Sequence, residues 1–198
     1  MTIYIKSRSL SSHHIVREKQ EPALLILGMD NFDRELLGQL LEWSPTVIAT
    51  SQTAEQLNVM GIKVDRVLGN DVGDVLQSNV TYISIHNTPP AAAALGFLID
   101  EKYGAVNIVT EGFIRDDYIP FVSQINLVVL HQHKKTYPVN SGFTKWLPAG
   151  EVITLHSDAE GFVSSGLTQT APGEFITISD GAIKLEFADN FIFISETI

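Results

Sequence analysis

Residues 82–110 read YISIHNTPPAAAALGFLIDEKYGAVNIVT, and this stretch decides the fold class. It opens with a short apolar strand over 82–85. Thr88 is placed to cap a helix, and Pro89 fits the first helical position, where a missing N–H costs nothing. The apolar run that follows ends at Gly104, and a second strand occupies 106–110. A strand, a crossover helix and a strand of this length make a parallel unit. The same pattern extends outward. Residues 23–27 read as a buried strand, with Asn31 as N-cap for a helix carrying Phe32, Leu36, Leu37, Leu40 and Leu41 at helical spacing. Residues 47–49 form the next strand, and a helix over 52–60 stops at Gly61, the usual left-handed cap. Downstream, 125–130 is a further strand, with 115–124 between as a candidate helix. The expectation is an α/β domain with a largely parallel sheet covered by helices. Ligands of such a sheet sit beyond the carboxyl ends of its strands, so the loops after Ala49, Leu68, Ile85 and Thr110 carry the site.

Beyond residue 133 the texture changes to short alternating strands separated by Gly, Pro and Asp turns. Ile153 with Leu155, Ile176 with Ile178, and Ile183, Leu185 and Phe187 each alternate with polar residues, and Ala188-Asp189-Asn190 turns into a strand from 191 to 195. This is an all-β sandwich. The expected division is an α/β domain over 1–135 and a sandwich over 136–198. The second part holds two lysines, Lys145 and Lys184, against eight acids, and so carries most of the chain's net charge of −10.

That charge argues against a nucleic-acid partner, whose phosphates are neutralised by clustered Lys and Arg. The 198 residues include no cysteine, which excludes disulfides, thiolate metal sites and a cysteine nucleophile and fits a reducing, cytoplasmic compartment. No apolar run reaches the roughly 18 residues of a membrane span. The N-terminus lacks the apolar core of a signal peptide. With 44% hydrophobic residues the chain can bury a core. Walker, dinucleotide-binding, zincin and nucleophile-elbow motifs are all missing. His131 and His133, two apart, would share one face of a strand; they are either a metal pair or, more simply, a solvated strand end beside Lys134 and Lys135.

Three strings carry a resemblance: SSHHIVREKQEPALLILG from residue 11, LLGQLLEWSPTV from 36 and GIKVDRVLGN from 61. They resemble the N-terminal domain of bacterial thiamin pyrophosphokinases, and the order of elements is similar from Ser11 to the C-terminus. The resemblance implies a nucleotide domain followed by a sandwich that completes a thiamin site. It further implies pyrophosphoryl transfer from ATP to thiamin with Mg²⁺, and homodimers with sites between subunits. The small-molecule ligand would be thiamin, a thiamin phosphate or a nucleotide.

By that resemblance the nucleotide-binding positions are Ser51, Gly69, Asn70, Thr88 and Arg115, and the thiamin-binding positions are Ser179 and Asp180. Several depart from the family's pattern. Ser51 and Gln52 stand for its Asp-Gly, and Asn70 and Val72 for the two acids of its Gly-Asp-Phe-Asp. Pro89 stands for the acid of Thr-Asp. In the family's Gly-Gly-Arg-x-Asp-His only Arg115 and Asp117 stay in register, and in its Gly-Leu-Lys-Tyr, matched at 161–164, the aromatic is gone. Mg²⁺ prefers carboxylate oxygens and few substitutes, so catalysis is expected to be weak or lost. Asp71 and Asp74 could stand in as catalytic and metal-binding acids after a slip of the loop, which Gly73 would permit. Otherwise they are solvated loop residues. Asp117, the third catalytic candidate, and Arg115 are either ligand-facing or a surface ion pair, and Thr88 is otherwise an N-cap. Trp43, Trp146 and Tyr137 are expected in the core or an interface. Three classes stay open: an enzyme with shifted carboxylates, a non-catalytic binding relative, and a structural dimer with a vacant cleft.

Overall fold

The computed structural model describes residues 21–69 and 80–198. Six strands build the parallel part: β1 (Ala23–Ile26), β2 (Val47–Thr50), β3 (Arg66–Leu68), β4 (Thr81–Ile83), β5 (Ala105–Val109) and β6 (Asn126–His131). Every residue of β1 is buried, as expected of a strand covered on both faces. Among the described residues, three helices do the covering: α1 (Arg34–Leu41), α2 (Ser51–Val59) and α3 (Pro90–Asp100). Leu37 and Leu57 pack α1 and α2 over Leu24, Ile26 and Val67 on one face. Ala94, Leu95 and Leu98 pack α3 over Leu25, Ile48 and Ile108 on the other.

Eight more strands follow: β7 (Lys134–Val139), β8 (Phe143–Leu147), β9 (Val152–Leu155), β10 (Val163–Ser165), β11 (Leu167–Ala171), β12 (Glu174–Thr177), β13 (Gly181–Glu186) and β14 (Ile192–Thr197). They do not make a separate sandwich of their own. β7 pairs antiparallel with β6 through Val129↔Thr136 and His131↔Lys134, so the parallel sheet continues into the second half. One eleven-stranded mixed sheet results, in the order β11-β12-β9-β14-β7-β6-β5-β1-β2-β3-β4. The sandwich forms only where β8, β10 and β13 stack a second, three-stranded antiparallel sheet on it. Ile153, Ile192 and Ile194 meet Leu147, Ile183 and Leu185 between the layers. The 135/136 division falls inside β7. No helix among the described residues is long and apolar enough to cross a membrane.

Several local expectations are corrected. Asp33, not Asn31, caps α1, its carboxylate accepting Leu36 N–H at 2.8 Å. Thr88 does not cap α3: Pro89 takes that position without a side-chain bond, and Pro90 is the first helical residue. The shift follows from proline itself, which holds the preceding residue extended. Residues 115–124 form two single 3-10 turns, Arg115–Asp117 and Ile119–Phe121, because Pro120 and the acids leave no apolar helical face. Ile178 lies beyond β12 and is exposed.

Candidate functional site

In the order β6-β5-β1-β2-β3-β4 the chain winds from β1 outward to β4, then crosses back to β5 on the other side of β1. The direction of winding reverses between β1 and β5, and a crevice opens where the loops after two such strands part. Their registers align the ends: Ile26 faces Ala49 on one side and Val109 on the other. A cleft of about 530 Å³ lies there. Asn31 and Phe32 line it from the loop after β1, Thr110 and Glu111 from the loop after β5, and Gln132 and His133 from the hairpin after β6.

Glu111 fixes the shape of this crevice. One of its carboxylate oxygens accepts the Asp30 backbone N–H at 2.7 Å, tying the two loops across the switch point. Asp30 in turn accepts from Gln56 Nε2 at 3.0 Å, which brings in α2. Gly28 makes room, since a Cβ there would lie 3.1 Å from Glu111 Cγ. None of Glu111, Asp30 and Gln56 was singled out in the sequence. The available signal was the break from an apolar strand to Gly28, and from β5 to Glu111-Gly112.

The residues marked in the sequence fall in several places. Ser51 opens α2 and donates to Leu68 O at 3.4 Å, while Gly69 N–H donates to Ile83 O at 3.1 Å, so these two stand together at the ends of β2 and β3. Thr88 is exposed, its N–H closing a turn on Ile85 O at 2.7 Å. Arg115 is spent on its neighbour, at 3.2 Å from Asp116. Asp117 is exposed; burial, helped by the Asp117 charge, pushes the Tyr118 phenol up to about 12. Ser179 and Asp180 sit in the bend after β12, where Asp180 accepts Ala149 N–H at 2.8 Å and pins the turn that leads into β9. Asn70, Asp71 and Asp74 lie outside the described residues.

His131 and His133 do not share a face. Gln132 and His133 have φ of 45° and 60° and form the two-residue turn between β6 and β7, leaving His133 exposed and His131 buried. Trp43 and Trp146 are exposed rather than core, at 70% and 63%. Tyr137 is half-buried between the sheets and donates to Glu196, which also accepts Lys145 Nζ at 2.5 Å; burial first, and then Glu196, pushes the Tyr137 phenol well up.

The fold has counterparts among solved structures. A thiamin pyrophosphokinase from Geobacillus thermodenitrificans superposes with a TM-score of 0.67 at 9% identity, covering 89% of this chain and 97% of its own. A probable thiamine pyrophosphokinase from Staphylococcus saprophyticus gives 0.64 at 12%, covering 89% and 98%. The enzyme from Candida albicans gives 0.61 at 9%, covering 90% of each chain. The chain has the thiamin pyrophosphokinase fold. No protein-family model matches it, and no curated protein matches it in sequence. At such identities the likeness is one of fold, and it agrees with the fold that the sequence resemblance implied.

Within this thiamin pyrophosphokinase fold the described residues do not make a magnesium cage. No three His, Asp or Glu side chains converge among them. The Glu111 carboxylate is engaged by backbone, and Asp116 by Arg115.

Proposed function

We propose that the chain is a thiamin pyrophosphokinase-like protein that binds thiamin, a thiamin phosphate or a nucleotide at the strand-end cleft. In this reading it acts as a cytoplasmic homodimer, and pyrophosphoryl transfer from ATP to thiamin is weak or lost. The observation that carries the reading is a cleft at the switch point between β1 and β5 in a chain superposing on these enzymes over about nine-tenths of its length. Support for weak transfer comes from the sequence: Asn70, Val72 and Pro89 stand where the resemblance requires acids. A neutral amide contributes no formal charge to a metal–polyphosphate site.

The test is AMP and thiamin diphosphate formation from ATP, Mg²⁺ and thiamin by the purified chain, beside an Asp71→Ala/Asp74→Ala variant. Calorimetric binding of thiamin and thiamin diphosphate, with and without a chelator, runs in parallel. The proposal expects saturable, chelator-resistant binding and little or no product. Turnover abolished in the double variant would make the chain an enzyme with relocated acids. No binding and no product would leave the fold as a scaffold only.

A further inference from the structure

Beside the cleft a line of four polar side chains runs through the sheet interior. His131 Nε2 lies 2.8 Å from Thr136 Oγ1, Thr136 Oγ1 lies 2.5 Å from Ser195 Oγ, and Ser195 Oγ bonds His156 Nε2. Each comes from a different place: the end of β6, β7, β14, and the residue after β9. Register brings them together, since Thr136 pairs with Ser195 across β7 and β14. Thr136 and Ser195 are 0% and 1% exposed, so neither hydroxyl reaches solvent. Phe113, from the cleft loop that begins at Thr110, stacks on His131 with its centroid 5.7 Å away and meets His156 edge-on at 4.7 Å.

The line has a fixed proton count. Three hydrogen bonds need three hydrogens, and the two hydroxyls supply one each. The third must come from one imidazole Nε2, while the other Nε2 accepts. The polarity is decided at His131, whose Nδ1 is buried with no hydrogen-bond partner among the described residues. An orphaned acceptor is tolerated better than an orphaned N–H, so His131 donates from Nε2, and the bonds run through Thr136 and Ser195 to a bare Nε2 on His156.

A further proton on His156 Nε2 would set two N–H donors facing inward along the same line. One buried hydroxyl hydrogen would then have no acceptor within it, and an unpaired buried polar group is destabilising. Around the pair, the Lys134 charge acts on both histidines, and His156 acts on His131. Tyr118 stacks on Phe113 with its centroid 5.5 Å away. Glu196, next to Ser195 on β14, points to the opposite face and is held by Tyr137 and Lys145. Among the described residues, no carboxylate acts on the two rings to compensate a new positive charge.

We propose that this line is a proton-operated latch: uptake of one proton at His156 Nε2 breaks it and frees Phe113, and with Phe113 the part of the cleft loop over residues 113–118. Opening widens the entrance beside Glu111, whatever the ligand, so the inference stands apart from the proposed activity.

Histidine-selective nitrogen NMR of the full chain, with amide exchange followed in parallel, tests it. Near neutral pH, His131 should be the Nε2–H tautomer and His156 the Nδ1–H tautomer. As His156 protonates, the protection factors of amides 113–118, exchange corrected for the intrinsic effect of pH, should fall about tenfold, the signature of local opening. Ser195→Ala cuts the line and should abolish the opposed tautomers. In His156→Gln, which accepts from Ser195 without titrating, the loop should stay protected at the lower pH. Identical tautomers in the wild type would overturn the proposal. So would loop protection factors that stay flat while His156 protonates, or an unchanged opening step in His156→Gln.

Discussion

Glu111 and His131 show how much of this molecule's behaviour rests on single groups. Glu111 joins the loops after β1 and β5 through the Asp30 N–H, and the cleft keeps its shape because that carboxylate is held. His131 is different, being held neutral. Burial, then His156, then Lys134, lower its pKa from 6.5; burial and then Lys134 do the same for His156. Both shifts favour the neutral folded form, so the stability linked to them is complete above the unfolded value and is lost as pH falls from about 6.5 toward the lower folded values. Thermal melts over that range should show a midpoint falling with acid, and His156→Gln should flatten the slope. A wild-type midpoint independent of pH between neutral and mildly acidic would contradict the linkage.

At the scale of elements, α1 and the β10–β11 crossing show where short segments depend on one residue. α1 has eight residues, too few to hold by propensity alone, and Asp33 satisfies one of its orphan N–H groups. Asp33→Ala should cost about 1 kcal/mol, read as a lower urea midpoint with unchanged slope. Gly166 is the single residue between β10 in the small sheet and β11 in the large one. Its φ is +76°, and a Cβ would lie 3.0 Å from Ala182 O. Gly166→Ala combines left-handed strain with a backbone clash and should cost about 1 to 3 kcal/mol, whereas Ala at the open position Gly112 should change little.

For the molecule as a whole, β7 matters most. It pairs with β6 on one side and β14 on the other, so the parallel half and the antiparallel half share one hydrogen-bonded sheet. Separate chains ending at 135 and starting at 136 would each expose unpaired strand edges and apolar surface. Phe193 of β14 also packs in the same core cluster as Leu25, Ile108 and α3. The expected outcome is that neither half shows a cooperative melt alone, while the intact chain unfolds in one transition by both near- and far-ultraviolet circular dichroism. Two separated transitions would show instead that the halves fold independently.

The elements legible in the sequence are those whose side chains announce their own environment. Residues 23–26 are apolar throughout because β1 is buried on both faces, and the alternation at 183, 185 and 187 reports a strand with one covered face. Gly61, with φ of +73°, stops α2 where expected. Such patterns are local, and they were enough for the fold class. Tertiary structure decided the rest. KKTYPV at 134–139 shows neither alternation nor an apolar run, because β7 borders two different cores, and only its neighbours make it a central strand. Glu111 meets Asp30 across 81 positions of sequence, and Ser195 meets Thr136 across 59. Contacts of that span arise from sheet order and register, which no local pattern of residue types encodes.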